Sequence, residues 1–170
     1  LPARGLPRHA HDRHRPDAIA PTARLRGEVA FHRVGFHYRA DAPILTNVTI
    51  SVQAGERVAL VGPSGAGKST TLKLLMRFYD VTQGSVTIDG YDIRDLPLPF
   101  LRSQIGLVQQ EPFLFNGTVR ENILYGDLSA GQDEIEMAAK AARAHDFIMA
   151  LPEGYDTWIG ERGVKLSVGQ

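Results

Sequence analysis

Residues 62–70 combine the residue types that hold phosphate groups in proteins. They match the pattern G-x-x-x-x-G-K-[ST] at Gly62, Gly67, Lys68 and Ser69. Glycines let the backbone approach an anion without a Cβ in the way, and the N-terminus of a following helix favours negative charge. Lys68 would reach the outer phosphates of a nucleotide triphosphate, and the Ser69 hydroxyl would ligate Mg²⁺. The residues predicted to bind the nucleotide here are Gly62, Pro63, Ser64, Gly65, Ala66, Gly67, Lys68, Ser69 and Thr70.

Such a loop needs a buried strand before it and a helix after it. The run 58–61 is apolar and has the length of a strand, and apolar residues recur at helical spacing over 72–79. Residues 29–38 instead alternate in period two, with a one-residue slip after Phe31 that indicates a bulge or a break. We therefore expect a small antiparallel sheet against a parallel core that is covered on both faces.

The rest of the chain continues this mixture of strands and helices. Asp89-Gly90 predicts a tight turn between two strands, and the apolar run 105–108 predicts a further strand. The spacing of Thr118 and Glu121 indicates a capping box at a helix start, and a looser one is expected at Asp133 and Glu136. The apolar pattern over 133–150 predicts one amphipathic helix.

Composition limits the function classes. The chain has 170 residues and contains no cysteine, so disulfides and thiolate chemistry are excluded. Its formal net charge is +0, so the overall charge gives no sign of nucleic-acid binding. No apolar run approaches the roughly 18 residues of a membrane helix. Residues 1–27 carry six arginines against two aspartates and predict a flexible basic linker. Binding of a metal by its histidines, or of a membrane surface by its arginines, is an alternative.

Several separated segments resemble the nucleotide-binding domain of an ABC transporter of the exporter type, as found in half-transporters. Phe36-His37-Tyr38 resembles the aromatic A-loop, and Gln110-Glu111-Pro112 with the residues that follow resembles the Q-loop. Gly160-Glu161-Arg162-Gly163 is similar to the exporter X-loop. Leu166-Ser167-Val168-Gly169-Gln170 is similar to the signature motif, with Val168 in place of a glycine. The resemblance covers residues 28–170.

The resemblance implies an α/β fold: a P-loop NTPase core with an antiparallel β-subdomain and an α-helical subdomain, incomplete at its C-terminus. Residues 28–115 would form the β-subdomain and the P-loop core, and residues 116–170 the helical subdomain. Residues 1–27 would be the linker that follows a transmembrane domain absent from this chain.

The resemblance also implies roles for individual residues, with ATP and Mg²⁺ as cofactors. Tyr38 would stack on adenine; the alternative is a core aromatic at a strand end. Gln110 would coordinate Mg²⁺ or water, unless it is an ordinary polar residue; Gln109 is the weaker candidate. Thr70 would add a hydroxyl to the α-phosphate, although it could equally be an ordinary residue of the first helical turn. The metal ligands would be Ser69 and Gln110.

Partners follow from the same resemblance. The signature residues Leu166, Ser167, Val168, Gly169 and Gln170 would act in trans, on the nucleotide of a second nucleotide-binding domain in a head-to-tail dimer. Val168 would weaken that contact without abolishing it, because a backbone N–H is still present. The other partner would be the transmembrane domain of the same transporter, at the cytoplasmic face of the inner membrane. No nucleic acid is expected.

The implied function is to couple MgATP binding and hydrolysis to export across a membrane. The resemblance places Walker B, with its catalytic carboxylate, and the switch histidine outside residues 1–170. No catalytic residue beyond Gln110 is therefore assigned, and binding without turnover is expected of this chain. A binding-only module, or a non-transport ABC-type ATPase acting on nucleic acid or ribosomes, is the alternative. The basic linker favours the exporter.

Overall fold

A computed structural model describes residues 21–109, 113–160 and 166. The chain divides into two compact units, with the boundary between Gly106 and Leu107. In the first unit the elements are β1 (Val29–Arg39), β2 (Ala42–Val52), α1 (Lys68–Leu75), β3 (Gln83–Ile88), β4 (Tyr91–Asp92) and α2 (Leu98–Ser103). In the second they are β5 (Gly117–Thr118), α3 (Val119–Leu124), α4 (Gln132–Ala141), α5 (His145–Met149), a 3₁₀ turn (Gly154–Asp156) and β6 (Trp158–Ile159).

The first unit is built on a four-stranded antiparallel sheet with the strand order β2-β1-β3-β4. The slip in the alternation of β1 is a bulge within one strand: Phe31 pairs with Ile50, and Val34 pairs with Val48 after a shift of register. Arg33, inside the bulge, has φ 47°. The bulge keeps the apolar side chains of β1 on one face although the period-two count slips, so Phe31 and Val34 are both buried.

Helices α1 and α2 supply the other side of this core. Leu74 of α1 and Leu101 of α2 are fully buried in the same cluster as the apolar residues of β1 and β3. Pro97 and Pro99 limit α2 to a short helix, as proline at the first turn allows. The predicted Asp89-Gly90 turn joins β3 and β4 and is confirmed.

Two predicted strands are wrong. Residues 58–61 and 105–108 form no strand, and no described residue pairs with them. Val61 and Val108 are 88% and 96% exposed, and Val58 is half exposed. An apolar run becomes a buried strand only where neighbours complete its ladder and cover its faces. The predicted parallel core is therefore missing from the described part of the chain, and the predicted antiparallel sheet is present.

The second unit packs short helices around its own core, which consists of Val119, Ile135, Ala139, Ile148, Tyr155 and Ile159. The capping box at the start of α3 is confirmed: Thr118 accepts from the Glu121 N–H at 3.1 Å, and the Glu121 carboxylate accepts from the Thr118 N–H at 2.8 Å. At the start of α4 the expected pair is wrong. Glu134, not Glu136, reaches back to the chain, where it accepts from the N–H of Gly131.

The single helix predicted over 133–150 is also wrong, because the chain turns between α4 and α5. Arg143 adopts φ 59°, its N–H donates to the Lys140 carbonyl, and the Ala144 N–H donates to the Ala139 carbonyl at 2.8 Å. These two bonds form a Schellman motif, which ends a helix with a left-handed residue. The break directs Ile148 into the core. No helix in the described parts of the chain is long and apolar enough to cross a membrane.

Candidate functional site

The glycine loop leads directly into α1, as its sequence predicts. The helix begins at Lys68, and Gly67 before it has φ 86°. The left-handed backbone favours glycine here, and a Cβ on Gly67 would come within 2.6 Å of Leu45 Cδ2, so the Leu45 side chain would have to move. Gly65 has φ 83° with open space around it. The loop therefore exposes its backbone ahead of the helix N-terminus.

Lys68 folds back over this loop. Its Nζ donates to the carbonyl oxygens of Gly62 and Pro63, both at 2.8 Å. An ammonium group has three donors, so two bonds hold it at the loop and one N–H is left for a ligand. The lysine is thus already placed beside the backbone that would surround a phosphate.

The first turn of α1 presents donors and no compensating negative charge. The first amides of a helix have no partner within it, and no acidic residue lies in the first turn of α1. Ser69 is exposed, whereas Thr70 and Thr71 are buried. The Thr71 hydroxyl is occupied, because it donates to the Gly67 carbonyl at 3.1 Å. The Ser69 hydroxyl is therefore accessible where the predicted metal ligand should be.

Tyr38 lies at the end of β1, beside this first turn. Its hydroxyl is 3.4 Å from the Thr70 hydroxyl. Its ring is half-buried and makes edge-to-face contacts with Phe36 and Tyr79, with centroids 4.9 and 5.2 Å apart. The structure thus brings the predicted base-stacking residue together with the loop, and also gives it the core contacts of the alternative interpretation.

Sequence reasoning missed Tyr79 as the residue that supports Tyr38. The signal that could have indicated it is the run Arg77-Phe78-Tyr79-Asp80 at the end of the P-loop helix. Arg77 is buried, bonds Asp80 at 3.0 Å and donates to the carbonyls of Ile93 and Leu96. This fixes the chain after α1 and so the place of Tyr79.

The structure describes only some of the other predicted site residues. Gln110 and Ser167 to Gln170 lie outside the described residues, as does most of the X-loop, so their roles stay predictions. Leu166 is half-buried and packs against the core of the second unit. Among residues 21–109, 113–160 and 166 no group of three His, Asp or Glu side chains could hold a metal.

A glycine loop, a lysine at the start of a helix and an accessible serine beside it define a P-loop nucleotide-binding protein. The comparison with known families is more specific. The ABC transporter family matches residues 45–170, and the chain belongs to this family. This confirms the family assignment made from the sequence.

Relatives and a solved structure agree with it. An uncharacterized ABC transporter ATP-binding protein, YwjA of Bacillus subtilis, is 52% identical over 146 residues, which are 86% of this chain and 25% of that protein. A putative multidrug export ATP-binding/permease protein of Staphylococcus aureus (strain NCTC 8325) is 55% identical over 146 residues, 85% of this chain and 25% of that protein. The structure of a bacterial Atm1-family ABC exporter with ATP bound superposes with a TM-score of 0.85 at 48% identity, covering 92% of this chain and 27% of that one. The chain has the fold of an ABC nucleotide-binding domain, and it spans about a quarter of the length of the curated relatives it matches.

Proposed function

We propose that this chain is the ATP-binding domain of an ABC exporter, and that it binds MgATP through residues 62–70. The observation that carries the proposal is Lys68, whose ammonium is held at 2.8 Å from two loop carbonyls, at the N-terminus of a helix whose first turn holds no acidic residue. That arrangement offers a polyphosphate a positive charge and a row of backbone donors at one place.

Mg²⁺ fits the oxygen chemistry of this site. The exposed Ser69 hydroxyl would be the protein ligand, and Gln110 would be a second one. Mg²⁺ keeps several waters and binds through few protein groups plus phosphate oxygens, so a dedicated acidic cage is not required. When bound, the ion would neutralise charge between the outer phosphates. Tyr38 would hold the base from beside Thr70.

In the full protein we infer a transmembrane partner, joined through the linker 1–27, and a second copy of this domain. The support is that a relative 55% identical to the chain is named an export ATP-binding/permease protein. Leu166 and the four residues after it would serve the nucleotide of the second domain. The domain would work at the cytoplasmic face of the inner membrane, where it would couple ATP hydrolysis to export.

The test of nucleotide binding uses the 170-residue chain and Lys68→Ala. Among the described residues the Lys68 ammonium bonds only the loop. Its removal should therefore weaken MgATP binding about a hundredfold in isothermal titration calorimetry, which corresponds to the loss of one charged hydrogen bond of about 3 kcal/mol. Far-UV circular dichroism should be unchanged.

Lys73→Ala is the matched control, because Lys73 is an exposed lysine on the same helix. It should bind MgATP like the wild type. Equal affinity of Lys68→Ala and the wild type would contradict the proposal. We also expect no steady ATP turnover by the pure chain, measured as phosphate release.

A further inference from the structure

The carboxylate of Asp89 accepts hydrogen bonds from three consecutive backbone N–H groups ahead of β1. The donors are Arg26, Gly27 at 3.2 Å and Glu28 at 2.9 Å. The Asp89 N–H in turn donates to the Glu28 carbonyl at 2.8 Å. The side chain and main chain of one turn residue therefore hold the entire segment 26–28.

Local backbone geometry explains why three amides meet at one carboxylate. Gly27 has φ 94°, which turns the N–H groups on either side of it toward a common point and forms an anion-binding concavity. On the other side, Asp89 and Gly90 have φ 50° and 81°, the left-handed pair of a two-residue hairpin turn. That turn projects the carboxylate into the concavity.

The electrostatics favour a charged carboxylate. Burial raises the pKa of Asp89, but the N–H groups of Glu28 and Arg26, the Arg26 charge and the Gly27 N–H outweigh it, so the pKa lies below the ordinary aspartate value. The hydrogen bonds are consequently charge-assisted at neutral pH, the stronger class of such bonds.

A second contact ties the same segment one residue earlier. The Leu25 N–H donates to Gln104 Oε1 at 3.3 Å, at the end of α2. The Leu25 side chain packs against the core of the first unit. The chain is thus fixed from residue 25, four residues before β1 begins at Val29.

We propose that Asp89 is a positioning residue, which fixes the point where the segment ahead of β1 leaves the ATP-binding domain. This rests on the proposed function, in which that segment leads to the membrane partner. Without the Asp89 contacts, the segment ahead of Val29 keeps only the 3.3 Å Leu25–Gln104 hydrogen bond and the half-buried Leu25 side chain. Where this remaining contact opens, the fixed point moves from residue 25 to Val29, and four extended residues at about 3.3–3.6 Å each give roughly 13 Å of slack. Slack of this size would absorb a domain movement of a few ångströms, so the movement would not be transmitted along the segment.

The test measures this slack in the 170-residue chain. Because the chain has no cysteine, Thr22→Cys and Ser51→Cys, both at exposed positions, can carry a pair of spin labels, one on the segment and one on β2. Double electron–electron resonance then gives their distance distribution. The wild-type background should give a narrow distribution, and Asp89→Asn should widen it by several ångströms.

Asparagine is the appropriate substitution because it keeps the size of the side chain and tolerates left-handed backbone. Asp41→Asn is the matched control, since Asp41 is an exposed turn aspartate that contacts Arg39; its distribution should equal the wild type's. Amide exchange at Arg26, Gly27 and Glu28 should accelerate at least tenfold in Asp89→Asn alone. An unchanged distribution in Asp89→Asn, with a folded spectrum, would overturn the proposal.

MgATP titration of the same variants separates this proposal from the proposed function. Asp89→Asn should bind MgATP like the wild type, because Asp89 contacts the segment and not the P-loop. Equally weak binding in all variants would contradict the nucleotide site and leave the spin-label result to decide the role of Asp89. A wider distribution accompanied by general unfolding, seen as loss of exchange protection in α1, would show a purely structural role and overturn the proposal.

Discussion

Gly84→Ala tests whether the bulge of β1 determines how β3 packs. Gly84 has φ 74° and lies where β3 passes the bulge. A Cβ there would press against the His32 carbonyl oxygen and lie 2.6 Å from the Arg33 carbonyl oxygen. Both obstacles are backbone, so no side-chain rotation relieves them. Gly90 offers a matched control, with φ 81° and nothing within 4 Å of an added Cβ.

The two substitutions share the cost of a left-handed alanine, about 1–2 kcal/mol. Gly84→Ala adds the cost of separating β1 from β3 at the bulge, which we place at about 2–3 kcal/mol in line with overpacking of a rigid site. The expected loss in the free energy of unfolding is therefore about 4 kcal/mol for Gly84→Ala and about 1.5 kcal/mol for Gly90→Ala.

Urea unfolding followed by far-UV circular dichroism measures both losses. A total stability in the usual range of about 5–15 kcal/mol leaves Gly84→Ala marginal, so its midpoint should fall far below that of Gly90→Ala. If the two variants differ by less than about 1 kcal/mol, the bulge yields easily and the reasoning fails.

Three further predictions concern local interactions. Thr118→Ala should cost about 1 kcal/mol of stability, measured by urea unfolding, because the α3 cap loses its acceptor, and Thr118→Ser should restore it. Arg77→Met should cost about 3 kcal/mol in the same assay, since it strands the nearly buried Asp80, whereas removal of the exposed Arg39 should cost under about 1 kcal/mol. The stability lost in Asp89→Asn should be largest above the ordinary aspartate pKa. It should disappear as the pH falls through the lowered pKa of the folded state, so a loss that grows on acidification would contradict that sign.

Sequence patterns predicted the features that depend on local chemistry. The P-loop, the hairpin turn at Asp89-Gly90 and the α3 capping box each require particular residue types at fixed spacing. The bulge was visible because a period-two pattern cannot slip without one or a break. The resemblance assigned Tyr38 to the site; its hydroxyl lies 3.4 Å from the Thr70 hydroxyl, and base stacking by its ring stays a prediction.

Features that depend on distant or competing contacts were not predictable in this way. Apolarity alone suggested that 58–61 is a buried strand, but a strand also needs neighbours. The helical periodicity over 133–150 is continuous, so it gave no indication of the Schellman motif. The left-handed residue of such a motif is usually glycine, and here it is Arg143. The hydrogen bonds between Asp89 and residues 26–28 join parts of the chain more than 60 residues apart. No local sequence pattern predicts such contacts.

The exposed run 58–61 has a consequence for handling the chain in solution. It is apolar and rich in residues that favour cross-β pairing, and no described residue occupies its ladder positions. We expect two molecules to pair through this run. Aggregation should therefore increase with protein concentration, and fibrils that bind thioflavin T should form after a lag. The run leads directly into the glycine loop, and each pairing event would therefore bury a phosphate site. The nucleotide-binding capacity per milligram should fall with storage, and MgATP should lengthen the lag.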